Sequence, residues 1–156
     1  MKPYNHKIHY YETDQMQIVH HSNYIRWFEE ARTYLMDEIG FSYQRMEDEG
    51  IVIPVLAVHA EYKTMSRYGE TVEIEAAVKQ FTGVKMIVEY IVRDKETQTI
   101  RSIGESKHAF LDKESYRPVS LKRKHKGLYD LFSGLLESER STNHGPDLDR
   151  GTTGCR

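Results

Sequence analysis

The segment from Tyr24 to Ile39 constrains the fold of this chain more strongly than any other part of the sequence. Its apolar residues recur at the i, i+3, i+4 and i+7 spacing that places side chains on one face of an α-helix. That face consists of Tyr24, Trp27, Phe28, Ala31, Tyr34, Leu35 and Ile39. Four of these side chains are aromatic, which is more apolar surface than a helix on the outside of a protein needs. We therefore expect a helix over residues 23–39 that is covered by a sheet.

The residues that flank this segment fit the two ends of a helix. Ser22 or Asn23 can cap the N-terminus, because both side chains accept hydrogen bonds from the free amides of a first turn. Gly40 follows the last apolar position, where glycine commonly ends a helix.

Five other segments have the composition or the alternation of β-strands. Residues 71–81 are the clearest, since apolar residues such as Ile74 and Val78 alternate there with charged or polar ones. Pro54 predicts an irregular start for the second strand, and Gly104 predicts a bend or a bulge in the last one. The full set is residues 4–11, 52–62, 71–81, 85–93 and 100–111.

The order of these elements predicts the fold class. The last four strands follow one another through short connections, which favours an antiparallel sheet. Residues 120–136 predict a terminal helix, whereas residues 138–156 contain little that could be buried. We therefore expect a single α+β domain over residues 1–137, in which an antiparallel sheet of about five strands wraps around the long central helix. Residues 138–156 would be a flexible tail.

Length, charge and composition exclude several classes of protein. The 156 residues suffice for one domain of ordinary size, and a net charge of -2 gives no electrostatic reason to expect nucleic-acid binding. The single cysteine, Cys155, cannot form an internal disulfide. The first residues lack the apolar core of a signal peptide, and no run of about 18 apolar residues occurs. We expect a cytoplasmic protein without a membrane span.

The sequence contains none of the common nucleophile, phosphate or metal motifs. G-x-S-x-G, G-x-G-x-x-G, H-E-x-x-H and C-x-x-C are all absent. His20 and His21 are adjacent, so neither a helix nor a strand would direct both side chains at one metal ion. We therefore predict no metal site, and any chemistry must depend on carboxylates, histidines and backbone dipoles.

Such groups gather between Tyr10 and Tyr24, in the connection that precedes the helix. Asp14 lies there among neutral side chains, and residues 8–25 contain no lysine or arginine that could hold it in a salt bridge. His21 stands at the start of the helix, where unpaired N–H groups and the helix dipole favour negative charge. This is the arrangement that stabilises an oxyanion.

The same residues resemble the hotdog-fold acyl-CoA thioesterases of the 4-hydroxybenzoyl-CoA thioesterase type, including their Tol–Pal-linked branch. The longest match is Thr13-Asp14-x-x-x-Ile18-Val19-His20-His21-Ser22-Asn23-Tyr24, which continues into Trp27-Phe28-Glu29-x-Ala31-Arg32. A second match runs from Tyr62 through Arg67-Tyr68-Gly69-Glu70. The order of the predicted elements also fits the hotdog fold, so the resemblance covers residues 4–132.

The resemblance implies roles for individual residues. Asp14 matches the catalytic aspartate of the family, and His21 matches the residue whose backbone N–H polarises the thioester carbonyl. In the Tol–Pal-linked branch, the positions of Tyr10 and His21 both belong to the catalytic site. Two departures stand out, Gln17 where a small residue is common and Met65 where proline is common. We expect the first to narrow the acyl pocket and the second to loosen a loop.

A thioester suits a site with a single carboxylate. Thiols ionise near a pKa of ~8.5, so the departing thiolate needs little assistance from an acid. Asp14 can act as a general base on water, or it can attack the carbonyl itself as a nucleophile, and the sequence leaves both open. No cofactor is expected, because coenzyme A is part of the substrate.

Coenzyme A is large and anionic, so its site needs a groove and some cations. Lys63, Arg67 and the basic run 122–126 are the candidates, although such a run is usually a solvated face. Trp27 is a candidate for the wall of the acyl chamber, with a place in the core as the alternative.

The resemblance also implies sites between subunits, and hence a homodimer or a homotetramer. Two alternative functions remain open. The basic run 122–126 could dock an acidic acyl carrier protein as the acyl donor. Alternatively, the protein could bind acyl-CoA without turning it over.

Overall fold

A computed structural model of the protein describes residues 2–142, with residues 137–142 described by their backbone alone. The strands are β1 (Tyr4–Lys7), β2 (Ile51–Val52), β3 (Val55–Tyr62), β4 (Thr71–Phe81), β5 (Lys85–Asp94), β6 (Ile100–Ala109) and β7 (Leu111–Asp112). The helices are α1 (Ser22–Glu38), α2 (Tyr43–Asp48), α3 (Leu121–Lys124) and α4 (Lys126–Thr142), with a 3-10 turn at Tyr10–Glu12.

Five strands form one antiparallel sheet in the order β1-β4-β5-β6-β3, and β2 pairs with β7 in a second, two-stranded sheet. Helix α1 packs against the five-stranded sheet, mainly on β4, with its apolar face inward. The side chains of this face that are at most 3 % exposed are Tyr24, Trp27, Phe28, Ala31 and Leu35. The predicted α+β class, with a five-stranded sheet around a long helix, is confirmed.

Gly104 allows the sheet to approach α1 closely. A Cβ atom at this residue would lie 2.5 Å from the ring of Phe28, well inside van der Waals contact. The pairing of β6 with β3 and β5 runs through Gly104 without a register shift, so the bend or bulge predicted there is wrong. The glycine makes room for an aromatic side chain of the helix, which the strand pattern alone could not reveal.

The two ends of α1 differ in how well they were predicted. Gly40 follows the helix with a φ of +80°, as the expected stop. The predicted cap is wrong, because His21 occupies the N-cap position and Ser22 is already the first helical residue. The side chain of His21 makes no capping hydrogen bond. Asn23 instead donates its side-chain amide to the carbonyl of Glu12 at 2.9 Å. The helix start is thereby fixed to the preceding turn and left without a capping side chain.

The first predicted strand is too long. β1 ends at Lys7, and the chain then turns through Tyr10–Glu12. The turn forms because the Glu12 carboxylate folds back and accepts the N–H of His9 at 2.8 Å and the Nε2–H of His6 at 2.7 Å. The aromatic composition of residues 4–11 favoured a strand and gave no sign of this contact.

Other boundaries differ less from the prediction. Pro54 separates β2 from β3, as its position suggested, and the short helix α2 was not predicted. Residues 100–111 divide into β6 and β7, and residues 120–136 into α3 and α4. Since α4 continues to Thr142, the first part of the predicted tail is helical, and residues 143–156 of that tail lie outside the described residues.

Helices α1 and α4, each of 17 residues, are the longest in the described part of the chain. Within residues 2–142, no helix has both the length and the apolar composition that crossing a membrane requires.

Candidate active site

A tight loop between the 3-10 turn and α1 presents Asp14. Thr13 and Val19 form an antiparallel bridge at its base, and the Asp14 N–H donates to the Ile18 carbonyl at 2.9 Å. Gln17 closes the turn with an N–H bond of 2.9 Å to the Asp14 carbonyl and adopts a φ of +63°. Glycine adopts this left-handed conformation without strain, which explains why a small residue is common at this position in the family that the sequence resembles.

Only one oxygen of the Asp14 carboxylate is engaged. Oδ1 accepts the N–H of Met16 at 2.8 Å, the hydrogen bond of an Asx turn. Across residues 2–142, the second oxygen has no hydrogen-bond partner and no cation pairs with the carboxylate. The side chain is partly exposed. Its free lone pairs are therefore available to accept a proton from water or to attack an electrophile.

The start of α1 offers a free amide. The N–H groups of Asn23 and Tyr24 donate to the carbonyls of His20 and His21, and the Ser22 N–H contacts Nδ1 of His20 at 3.3 Å. The N–H of His21 itself has no acceptor within the described part of the chain. Because the helix dipole places partial positive charge at this end, the free amide is suited to hold an oxyanion.

Asp14 and His21 line the same cavity, which has a volume of about 290 Å³. Lys63 and Thr64 add polar groups to its wall, so the cavity brings together three of the six predicted site residues. The remaining lining is apolar or aromatic and consists of Met16, Ile18, Val19, Tyr24, Tyr62 and Met65. Gln17 is exposed and does not belong to this lining, so the narrowing expected from it is not seen.

Tyr62, the last residue of β3, joins the edge of the sheet to the helix start. Its hydroxyl donates to the His21 carbonyl at 3.2 Å, and its ring centroid lies 5.2 Å from that of Tyr24. This contact places an aromatic side chain of the cavity lining next to His21.

Ser66 anchors the loop that follows β3. It is fully buried, its carbonyl accepts the Val19 N–H at 2.9 Å, and its hydroxyl accepts that of Tyr24 at 3.1 Å. The loop is thus attached on both sides of the cavity, and the loosening expected from Met65 finds no support. Met65 is 59 % exposed and contributes its side chain to the cavity wall.

Three predicted site residues lie outside this lining. Tyr10 is 77 % exposed, and its ring packs edge-on against Tyr68 at a centroid distance of 5.7 Å. Arg67 is exposed and forms no ion pair among the described residues. Trp27 is 1 % exposed and donates its Nε1–H to Glu12 at 2.7 Å. In this chain Trp27 therefore belongs to the core, which was the alternative to a wall of the acyl chamber.

Contacts within the fold occupy part of the basic run 122–126. Lys124 pairs with Asp112, and His125 pairs with Glu49. These ion pairs leave less unpaired positive charge on this surface for coenzyme A or for an acidic carrier protein than the sequence implied.

A buried carboxylate lies directly before the Asp14 loop. Glu12 is 4 % exposed and accepts three N–H groups, from His6, His9 and Trp27. Burial alone would raise the pKa of Glu12, but the His9 amide, His6 and Trp27 outweigh it and hold the pKa below its ordinary value of 4.5. Glu12 is therefore ionised at neutral pH.

Among the described residues, the group that could hold a metal ion is His6, His9 and Glu12, whose donor atoms lie within 4.8 Å of one another. A carboxylate only accepts hydrogen bonds when it is ionised, so Nε2 of His6 carries the proton in its contact with Glu12. That nitrogen is not free for a metal in this arrangement.

Sequence reasoning missed three residues that build the site. Tyr62 and Ser66 lie inside the second matched segment, so the resemblance pointed to that segment without giving either residue a role. Glu12 carried no local signal, because its partners His6 and Trp27 reach it only through the tertiary structure.

The fold and the cavity together define a class of protein. It is an α+β domain with one cavity lined both by Asp14, which has a free carboxylate oxygen, and by His21, whose helix-start N–H has no acceptor among the described residues. The model of the thioesterase-like superfamily matches residues 8–127 of this chain. The chain belongs to this superfamily, and its assignment to the hotdog-fold thioester hydrolases is confirmed.

Individual relatives agree with this assignment. The chain is 34 % identical over 117 residues to the putative acyl-CoA thioesterase YneP of Bacillus subtilis (strain 168). This alignment covers 75 % of this chain and 84 % of the relative. It is 23 % identical over 140 residues to the acyl-CoA thioesterase YbgC of Helicobacter pylori, covering 85 % and 97 %. The crystal structure of DHNA-CoA thioesterase from Staphylococcus aureus matches with a TM-score of 0.85 and 25 % identity, covering 92 % and 96 %.

Proposed function

We propose that this protein hydrolyses acyl-CoA thioesters in the cavity that holds Asp14 and His21. The observation that carries the proposal is the pairing of a carboxylate with a free oxygen and a helix-start amide with no acceptor, both lining one cavity of about 290 Å³. The names of the relatives support the same substrate class.

The proposed reaction begins with the acyl carbonyl between the two groups. The His21 N–H donates to the carbonyl oxygen and stabilises the negative charge that develops there. In the general-base route, Asp14 takes a proton from a water molecule whose oxygen bonds to the carbonyl carbon. The tetrahedral intermediate then breaks its carbon–sulfur bond and releases the free acid and the CoA thiolate. The proton held by Asp14 passes to the thiolate, which restores the carboxylate.

In the nucleophilic route, the free oxygen of Asp14 bonds to the carbonyl carbon and expels the CoA thiolate first. Water then hydrolyses the resulting anhydride, which restores the carboxylate and releases the acid. Rapid quenching followed by mass spectrometry separates the two routes, because only the second adds the acyl mass to the peptide that contains Asp14.

The lining of the cavity suits an apolar or aromatic acyl group. Met16, Ile18 and Met65 provide flexible apolar contacts, and Tyr62 provides an aromatic face beside the reacting carbonyl. Lys63 lies at the same cavity, and its nearest acidic partner, Glu61, is 4.0 Å away with both side chains about half exposed. Such a weak surface pair leaves Lys63 able to contact a phosphate of coenzyme A.

The test is a panel of acyl-CoA substrates of increasing size, with release of the free thiol as the readout. We expect wild type to hydrolyse at least one member and Asp14→Asn to lose ~10²–10⁴-fold in kcat, since it removes the general base or the nucleophile. Asp130→Asn is the matched control, because Asp130 is an exposed aspartate of α4 far from Asp14 in sequence and absent from the cavity lining. Equal rates for wild type and Asp14→Asn would remove Asp14 from the mechanism. If none of the proteins released thiol from any substrate of the panel, the proposed function would be wrong.

A parallel assay compares each acyl-CoA with the same acyl group on an acyl carrier protein. We expect the CoA ester to have the higher kcat/KM, because part of the basic run 122–126 is already paired. A preference for the carrier protein that Arg123→Glu abolishes would reverse this assignment of the donor.

We also propose that the protein dimerises through β3. This strand is one of the two edges of the five-stranded sheet, and it exposes apolar side chains, with Val55 at 46 %, Leu56 at 55 % and Val58 at 38 %. An unpaired apolar edge is a template for another strand. A second copy added there would lie beside Tyr62 and the cavity.

Light scattering after size exclusion tests this interface. Wild type should be a dimer or a tetramer, and Val58→Lys should release monomers. Val84→Lys is the control, because Val84 is similarly exposed, at 37 %, in the turn between β4 and β5. A monomeric wild type, or an oligomer that Val58→Lys leaves intact, contradicts the proposal.

A further inference from the structure

The side chain of Glu12 is held from three separate parts of the fold. Its Oε1 accepts from His6 of β1 at 2.7 Å and from the backbone of His9 at 2.8 Å, and its Oε2 accepts from Trp27 of α1 at 2.7 Å. Hydrogen bonds to an ionised acceptor are stronger than those between neutral groups. With 4 % exposure, the carboxylate is fixed in position relative to both the sheet and the central helix.

The backbone of the same residue holds the two halves of the candidate site. The Glu12 carbonyl accepts the His20 N–H at 2.9 Å and the Asn23 side-chain amide at 2.9 Å, which fixes the start of α1. The Asp14 loop begins at the next residue, where Thr13 bridges to Val19. Glu12 is thus the point at which the loop with Asp14 and the helix start with the His21 amide are joined.

From this connection we infer that Glu12 is a positioning residue for thioester hydrolysis. Its buried, ionised side chain fixes the backbone at residue 12, and that backbone sets the distance between the Asp14 carboxylate and the free amide of His21. The inference rests on the proposed function, and it assigns a role to a carboxylate that never touches the substrate.

Catalysis is sensitive to small errors in this distance. A displacement of about 1 Å of a reacting group can lower a rate by ~10²-fold, even when the substrate still binds. Loss of the Glu12 charge should therefore lower kcat and leave KM nearly unchanged, since the apolar walls and Lys63 do not depend on residue 12 for any hydrogen bond.

The experiment compares Glu12→Gln with Glu30→Gln. Glutamine keeps the size of the side chain but places an NH₂ group against at least one of the three N–H donors. Glu30 is the matched control, because its carboxylate also approaches His6, at 3.5 Å, yet it is about half exposed and contacts neither the loop nor the helix start. Both variants are assayed with the best acyl-CoA of the panel, at a temperature where circular dichroism shows full folding.

We expect Glu12→Gln to lower kcat by ~10–100-fold with KM within about twofold of wild type, and Glu30→Gln to leave both unchanged. A merely structural effect would lower the folded fraction and would leave the kcat of the folded protein as it was. Unchanged kcat in folded Glu12→Gln overturns the inference.

A double-variant cycle separates positioning from general damage. When Asp14→Asn has already removed the carboxylate, adding Glu12→Gln should lower the residual rate by less than about threefold, since there is no carboxylate left to position. Equal losses in both backgrounds would mean that Glu12 acts on the fold in general, and would overturn the inference.

Trp27→Phe provides a second variant if Glu12→Gln does not fold. It removes a single N–H donor to Glu12 and keeps an aromatic ring in the core. We expect kcat to fall by ~2–10-fold with KM unchanged, and an unchanged kcat would contradict the role of Glu12. Failure of the proposed function is distinguishable, because it would appear as no effect of Asp14→Asn, whatever residue 12 does.

Discussion

Glu12 and Asp14 are two carboxylates separated by one residue, and their surroundings differ in almost every respect. Glu12 is buried and accepts three N–H groups from three parts of the fold. Asp14 is partly exposed and accepts one backbone amide, from Met16 within its own loop. The first carboxylate is saturated with donors, whereas the second keeps a free oxygen and belongs to a residue that lines a cavity.

Under the proposed function, this difference separates the supporting carboxylate from the reacting one. A saturated, buried carboxylate cannot accept a proton or attack a substrate without losing hydrogen bonds that hold the fold. A carboxylate with one hydrogen bond keeps the lone pairs that chemistry needs. In the proposed site, the first fixes the backbone on which the second is presented.

The largest effect that sharpens this comparison is on stability. We expect Glu12→Gln to lower the free energy of unfolding by about 3 kcal/mol, because it removes a buried charge that accepts three hydrogen bonds. Asp14→Asn should change it by less than about 0.5 kcal/mol, since asparagine can keep the Asx turn with Met16. Urea unfolding followed by circular dichroism measures both. Similar losses for the two variants would break the distinction between support and reactivity.

A smaller effect concerns the pH dependence of stability. The pKa of Glu12 is lowered in the fold, so its contribution is present above its ordinary value of 4.5 and is lost as the pH falls through the lower, folded value. We expect the difference in unfolding free energy between wild type and Glu12→Gln to narrow from neutral pH to acid. The narrowing belongs below the ordinary value of 4.5, because the contact of His6 with the Glu12 charge is lost in the variant and does not cancel in the difference. A difference that stays constant from pH 7 to acid contradicts this prediction.

The smallest effect is expected at the turn that presents Asp14. Gln17 adopts a φ of +63°, so Gln17→Gly removes strain but adds freedom to the unfolded chain. We expect a change in stability of less than about 1 kcal/mol, with kcat unchanged, because the side chain lies outside the cavity lining. Thermal unfolding and the thiol-release assay check both. A large change in kcat would mean that the side chain of Gln17 takes part in the site.

The sequence predicted the elements whose pattern is local. Helix α1 followed from the spacing of apolar residues, and β4 from alternation, because both periods arise within a dozen residues. Gly40 was a correct stop, since a left-handed residue after a helix needs no distant partner. Local patterns failed where a distant contact decides, as at Gly104, whose reason is the Phe28 ring across the core.

The candidate site was also predicted mainly where its residues are close in sequence, and missed where a distant contact decides. Asp14, His21 and Lys63 line one cavity, and the first two lie within a single matched segment. Tyr62 lies close to His21 only because the end of β3 meets the start of α1. Trp27 was offered as a wall of the site because an aromatic on the core face of a helix looks the same in sequence whether it meets a ligand or a buried carboxylate.

The sequence by itself determined a sheet-covered aromatic helix and a motif that ends at its start, because periodicity and spacing are properties of neighbouring residues. From the residues alone, Glu12 and Asp14 are two similar acids beside one threonine. The missing lysine and arginine made Asp14 a candidate, and the resemblance to a family gave it a catalytic role. Only the tertiary structure decided why the two differ. It brings His6 from β1 and Trp27 from α1 onto Glu12 and none of these donors onto Asp14, so donors from distant elements hold the first carboxylate while the second keeps a free oxygen.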